Sequence, residues 1–220
     1  MKADQPTLPK ILVLASGSGT NFQALMDASR ERDFPGQIIA LGCNQPKAFV
    51  LERAAQENVE TFTVNHKEFG SRAEFDASLM AHILRHNPDL IVLAGFMRVL
   101  TPDFARAFRG KLLNIHPSLL PKYTGLNTHQ RALDAGDRTH GVSIHFVTEE
   151  LDGGPVIAQA EVAIAPEDSN ETLADKVQKK EHLLYPIVVR WFCEGRIQLG
   201  LDQVLFDGQA LENPMRLPDN

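Results

Sequence analysis

Two short runs without polar interruption, Lys10–Ala15 (KILVLA) and 89–94 (DLIVLA), set the strongest limit on the fold. Such runs suit strands covered on both faces, as in a parallel sheet between two helical layers. The spacing around them alternates. Phe22, Leu25 and Met26 open an i, i+3, i+4 helical pattern; 37–43 reads as a strand, 48–58 as a helix, 60–64 as a short strand, and 71–86 as a longer helix through Phe75, Leu79 and Ile83. Repetition at these lengths predicts an α/β, Rossmann-like fold with a mostly parallel sheet and helices on both faces. Ligands of such sheets gather outside the carboxyl ends of the strands, so three ends matter most: 16–21, 95–100 and 114–116.

The last of these ends lies in 111–123, KLLNIHPSLLPKY. Leu112, Leu113 and Ile115 form an apolar strand in which Asn114 and His116 alternate, and Pro117 ends it. Two polar side chains thus project from one face of a strand end. An amide suits donation to a developing oxyanion, and an imidazole takes or gives a proton near neutral pH.

The first end, Ser16-Gly17-Ser18-Gly19-Thr20-Asn21, joins a strand to a helix. Its glycines let the backbone approach an anion, and the free N–H groups of the helix start favour negative charge. A dinucleotide is disfavoured, because Phe22 stands where the third glycine belongs and the next strand ends at Asn44 rather than at an acid. No Lys-Ser or Lys-Thr pair follows the loop, so the Walker pattern fails too. Two readings remain: a single phosphate, as on a phosphosugar, or a tight turn capped by Thr20 or Asn21.

The middle end, GFMRVL at 95–100, offers Met97, Val99 and Leu100 beside the cation Arg98. It is either plain core or the lining for a flat heterocycle with an anionic tail. Farther on, 128–134 reads as a helix, and 141–149 and 154–164 as strands of an antiparallel hairpin appended to the sheet. The turn Leu151-Asp152-Gly153-Gly154 would hold the Asp152 carboxylate near the strand ends. The long helical segment 169–194 opens on cap signals at Ser169, Asn170 and Glu171, and contains Pro186; within it Glu181 is either a surface acid or a carboxylate turned toward sugar hydroxyls. His116, His129, His140 and His145 crowd one region, but without HExxH or a neighbouring cysteine they do not form a metal signature, and no GxSxG elbow occurs.

Composition removes several classes. With 220 residues, 43% hydrophobic and 23% charged, the chain suits one globular domain over 1–220, its phosphate-binding half at about 10–110 and its catalytic half at about 111–200. The net charge of −6 argues against nucleic acid or an anionic membrane surface as partner. Cys43 and Cys193 lie far apart in apolar contexts and read as buried free thiols. The start, MKADQPTLPK, carries an acid and two prolines where a signal peptide needs its apolar core, so a cytoplasmic setting is expected.

Three separated motifs carry a resemblance: NIHPSLLP at 114–121, HGVSIHFV at 140–147 and LDGGPVI at 151–157. Together they are similar to the formyltransferases that use 10-formyltetrahydrofolate, and the glycine loop and length select the purine-synthesis branch, whose acceptor is the amine of phosphoribosylglycinamide. The resemblance implies catalysis by Asn114, His116 and Asp152: Asn114 donates to the oxyanion, and Asp152 favours the protonated form of His116. It implies that Gly19, Thr20, Asn21, Gln178 and Glu181 bind the phosphosugar. Folate contacts would come from Arg72, Met97, Arg98, Val99, Leu100, Asn114 and the stretch Thr148, Glu149, Glu150, Leu151, Asp152, with Ser143 supporting a catalytic water. It implies small-molecule partners only, no metal, and a monomer or homodimer.

The chain departs from the family pattern at Asn127, where a loop histidine is frequent, and at Gln178, where a basic side chain occurs. Two other branches share the resemblance: one acts on tRNA and has an additional C-terminal domain and a basic face, the other is a hydrolase preceded by a regulatory domain. The acidic balance and a first strand near residue 10 favour neither.

Overall fold

The computed structural model describes residues 7–217, so most of the stretch read against a signal peptide lies outside the described residues. Five strands make the parallel part of the sheet: β1 (Lys10–Ala15), β2 (Gln37–Cys43), β3 (Glu60–Thr63), β4 (Leu90–Leu93) and β5 (Leu112–His116). Two longer strands, β6 (Thr139–Phe146) and β7 (Val156–Ala163), add antiparallel to β5 and to each other. After the short strands β8 (Ile197–Leu199), β9 (Val204–Phe206) and β10 (Gln209–Ala210), which form a small antiparallel sheet, β11 (Met215–Arg216) returns to pair parallel with β7. The large sheet runs β11-β7-β6-β5-β4-β1-β2-β3, and its order reverses between β1 and β4.

Both faces are covered, as the uninterrupted apolar runs predict. Ile11, Val13 and Ala15 pack in one core with α1 (Thr20–Ser29), α2 (Val50–Gln56) and α6 (Asn170–Cys193). Leu12 and Leu14 point the other way, into a core with α3 (Arg72–His86) and α4 (Pro102–Ala107). A fully buried Leu, Ile or Val contributes about 1.5–3 kcal/mol. Neither face of β1 therefore tolerates polar substitution.

The boundaries differ from the sequence reading where local signals are weak. Helix α4 was not anticipated: Thr101 caps it and Pro102 opens it, but six residues are too short to show a helical period. Strand β6 stops at Phe146, which leaves 147–155 as an irregular loop. Its burial is nearly continuous rather than alternating, because α6 covers the face of Val142, Ile144 and Phe146 while the 118–120 loop packs on Ser143 from the other. Pro186 sits inside a continuous α6. Cys43 is buried as expected, whereas Cys193, at the end of α6, is only half-buried; both thiols are free.

Helix α6 is pinned under the strand ends. The fully buried Tyr185 hydroxyl lies 3.0 Å from the Leu93 carbonyl of β4 and 3.2 Å from the Leu113 carbonyl of β5. Residues one and two turns earlier, Glu181 and Gln178, share that face of the helix and reach the glycine loop.

Beneath the 117–128 loop, His129 of α5 (Thr128–Asp134) meets His140 of β6, with Nδ1 and Nε2 3.0 Å apart. Burial, and then the neighbouring His129, push His140 down from 6.5 to about 4. A depressed histidine stabilises the fold fully above the unfolded value of 6.5, and this contribution is lost as pH falls toward about 4, where the folded chain takes up the proton as well. Denaturant midpoints measured from pH 7 to pH 4 should therefore decline steeply, and His140→Asn should flatten the slope by up to about one proton. An unchanged slope would show that His140 is not a buried neutral group.

Candidate active site

The order reversal between β1 and β4 leaves a crevice at the carboxyl ends of the strands. On one side stands the glycine loop. Gly19 is the N-cap of α1 at φ 75, a left-handed conformation that glycine adopts readily. A Cβ there would lie 2.4 Å from Val50 Cγ2, so the position is closed to larger residues for two reasons. No side chain caps this helix start and its first turn carries no acid, so the reading in which Thr20 or Asn21 caps the turn is not what the structure adopts. The N–H groups are left for an anion.

Asn21 and Glu181 meet here. Asn21 Nδ2 donates to Glu181 Oε2 at 2.8 Å, and burial raises the Glu181 carboxyl above its ordinary range. Gln178 Nε2 lies 3.3 Å from Thr20 Oγ1. Asn21 Oδ1 is buried without a hydrogen-bond partner among the described residues. A groove of about 700 Å³ leads from Thr20 between α1 and α6, but Asn114, His116 and Asp152 do not line it.

The other side of the crevice is apolar with cations at its rim. Met97 is 65% exposed and Val99 46%, unusual for large apolar side chains, and Leu151 adds another from the 147–155 loop. Leu100 is half-buried, while Phe96 alone of the segment packs fully into the core. The Arg98 guanidinium lies 5.6 Å from the Phe75 ring, with Nε buried and unpartnered. Arg72 is exposed in the first turn of α3, three residues before Phe75. Thr148 is half-buried, Glu149 and Glu150 are exposed, and Arg106 of α4 holds Glu149 at 2.6 Å.

Next to the β4 end, on the side away from β1, lies the end of β5. Asn114 and His116 continue the face of Leu112 but extend past its helical cover. The antiparallel register sets Asn114 opposite His145 and His116 opposite Ser143. Asn114 Nδ2 is 3.0 Å from His145 Nε2, and His145 Nδ1 is 3.0 Å from the Phe146 carbonyl. The carbonyl only accepts, so Nδ1 carries the proton and Nε2 receives the Asn114 N–H. Burial agrees, pushing His145 down to about 4 and keeping it neutral. One amide hydrogen of Asn114 is thereby fixed, and its amide plane with it.

Asp152 reaches the same point from the loop, at φ 53, with its side chain 7% exposed. Its Oδ2 lies 3.5 Å from His116 Nδ1 and accepts the Gly125 N–H at 2.8 Å. Its Oδ1 is 3.9 Å from His145 Nε2. His116 Nε2 lies 2.8 Å from the Tyr123 carbonyl, so both ring nitrogens face acceptors, an arrangement suited to an imidazolium. The loop's path is steric: a Cβ at Gly154 would fall 1.8 Å from the Phe146 carbonyl.

Ser143 sits apart from the cleft. Its fully buried hydroxyl donates to Ser118 O at 2.7 Å and accepts from Leu120 N and Gln159 Nε2, both at 2.9 Å. That completes a hydroxyl's capacity, so Ser143 ties down the 118–120 loop and has no donor or acceptor left for a water. Sequence reasoning missed the Tyr123 carbonyl, the Gly125 N–H and the orienting role of His145. The backbone groups left no signal, and His145 had been weighed only as a metal or structural histidine. Among the described residues no group of three or more His, Cys, Asp or Glu side chains could hold a metal. Among them, too, no helix is long and apolar enough to cross a membrane.

Comparisons with known proteins agree with this geometry. A family model described as formyl transferase matches residues 9–189. The phosphoribosylglycinamide formyltransferase of Escherichia coli is 48% identical over 201 residues, covering 91% of this chain and 95% of that protein. The trifunctional purine biosynthetic protein adenosine-3 of Homo sapiens is 38% identical over 191 residues, 87% of this chain but 19% of that much longer protein. A solved phosphoribosylglycinamide formyltransferase from Coxiella burnetii superposes with a TM-score of 0.91 at 46% identity, covering 96% of this chain and 100% of that one. With its crevice at the switch point, its Asn114 and His116 at one strand end and these relatives along nearly its whole length, the chain belongs to the formyl transferase family and is a formyltransferase.

Proposed function

We propose that the chain transfers the formyl group of 10-formyltetrahydrofolate to the amine of phosphoribosylglycinamide, a step of purine biosynthesis. The observation that carries this reading is the convergence of His116 and Asp152, with Asn114 on the same strand end, at the carboxyl edge of a sheet whose neighbouring strand ends carry an exposed apolar segment and an uncapped glycine loop. Each part fits one piece of chemistry. The free N–H groups at Gly19, Thr20 and Asn21 suit the phosphate, whose charge this acidic chain otherwise repels. Gln178 and Glu181 face the same loop and suit the sugar hydroxyls. Met97, Val99 and Leu100, with Leu151 opposite, suit a flat ring, and the loop backbone at 148–152 suits its polar edge. Arg72 and Arg98 suit the carboxylates of the glutamate tail.

The amine attacks the formyl carbon, the carbonyl oxygen becomes an oxyanion, and the amine's proton must reach the departing folate nitrogen. Asn114 donates the amide hydrogen that His145 does not hold. His116, as imidazolium, stabilises the same charge, and Asp152 keeps that cation in place. The 3.5 Å between His116 Nδ1 and Asp152 Oδ2 is too short to admit another atom, so the proton leaves the amine and reaches the folate nitrogen through water beside this pair rather than between its members. No covalent enzyme intermediate is required.

Parallel assays offering phosphoribosylglycinamide, formylatable tRNA and water as acceptors should show formyl transfer with the first. Turnover only with tRNA, or equal folate hydrolysis without the amine, would overturn the assignment. His116→Ala and Asp152→Asn should each lower kcat by about 10²-fold or more while ligand affinity changes far less; near-normal kcat removes that residue from the mechanism. The Thr20 hydroxyl and Asn21 amide stand beside the N–H groups and can add side-chain hydrogen bonds to the phosphosugar, so Thr20→Ala and Asn21→Ala should raise its KM by about tenfold, the scale of a lost hydrogen bond to a charged group, with kcat little altered. An unchanged KM in steady-state kinetics would remove those two side chains from binding and leave only the backbone N–H groups.

A further inference from the structure

We infer that Ser16 is a positioning residue that fastens the folate-side segment 95–100 to the phosphosugar-side loop, so that the two walls of the crevice are built as one unit. This rests on the reading of the two walls given above. Ser16 is the first residue after β1, on the glycine-loop side of the order reversal. Its hydroxyl nevertheless reaches across. Ser16 Oγ accepts the Met97 N–H at 2.7 Å and donates to Asn44 Oδ1 at 2.6 Å, while its own N–H donates to the Gly95 carbonyl at 3.1 Å.

Elsewhere the segment is held by side chains: Phe96 in the core, Arg98 over the Phe75 ring and half-buried Leu100. Gly95 has no side chain and lies at φ 73, where a Cβ would meet nothing within 4 Å. The Met97 and Val99 side chains point outward, and Phe96 is the apolar anchor. The Met97 backbone is therefore placed chiefly by the Ser16 hydroxyl. That hydroxyl is itself oriented: Asn44, 1% exposed at the end of β2, offers Oδ1 to it, while Asn44 Nδ2 and the Asn44 carbonyl lie 3.2 and 3.0 Å from His66 Nδ1. A relay from His66 through Asn44 and Ser16 to Met97 thus crosses the ends of β2, β1 and β4. A shift of the hydroxyl moves the wall against which the flat ring would lie, although Ser16 faces the other ligand.

Ser16→Ala tests this, with Ser16→Thr as the variant that keeps the hydroxyl. In the alanine variant, amide hydrogen exchange across 95–100 should accelerate about tenfold, the scale of one hydrogen bond removed, and KM for 10-formyltetrahydrofolate should rise about five- to tenfold with a much smaller change in kcat. Threonine should restore both toward normal. Unchanged exchange in 95–100 overturns the inference, as does a KM rise confined to the phosphosugar, or threonine behaving like alanine. Failure of the formyl-transfer reading would appear separately, as lack of turnover in the unsubstituted protein. The exchange measurement needs no ligand and still decides the role of Ser16.

Discussion

The antiparallel pairing of β6 against β5 is the constraint on which the site depends. Four parallel neighbours alone would leave the end of β5 with an amide and an imidazole pointing into solvent. Running β6 the opposite way sets His145 beside Asn114 and Ser143 beside His116. The chain leaves β6 beside Leu112 and Leu113, at the start of β5, and the 147–155 loop returns from there to bring Asp152 against His116. One register thus supplies both the group that orients the amide and the route of the carboxylate. A slip by one residue would turn these side chains to the opposite face and separate all four.

Electrostatics around the site follow from burial rather than from net charge. The chain is acidic overall, yet the anion site proposed at the glycine loop needs no lysine, because N–H groups at an uncapped helix start carry partial positive charge to a fixed point. At the other end, the nearly buried Asp152 has a single backbone donor, Gly125 N–H, and two imidazoles around it. His145 is held neutral by desolvation and spoken for by the Phe146 carbonyl and Asn114. That leaves His116 as the side chain able to balance the Asp152 charge. Division of labour between two histidines at similar distances from one carboxylate is thus set by which backbone carbonyl each one faces.

Much of this was legible in the residues. KILVLA and DLIVLA fixed a doubly covered sheet because a run apolar at every position has no solvated face to spare, and the glycine loop, Asn114, His116 and Asp152 stood in short motifs that local chemistry singles out. Less was legible where the determinant is not a side chain. The Tyr123 carbonyl and Gly125 N–H hold His116 and Asp152 through atoms every residue possesses. Helix α4 is too short to show a period, and the continuous burial of β6 belongs to the helix and loop that cover its two faces. Ser143 was identified as a site residue, but its polar partners come from a loop that only the folded chain brings to it.

The 117–128 loop shows why such contacts matter to chemistry. Its own hydrogen bonds bind it to β6 and β7 through Ser143 and Gln159, and to α5 through Thr128 Oγ1, which donates to the Pro117 carbonyl at 2.6 Å. So fixed, it presents one carbonyl to His116 and one N–H to Asp152. A substitution that preserves every catalytic side chain but loosens Ser143 or Gln159 would let both backbone partners drift. The imidazole and carboxylate would remain present, yet the angle between them would no longer be held, and orientation is the part of catalysis that a side-chain inventory cannot supply.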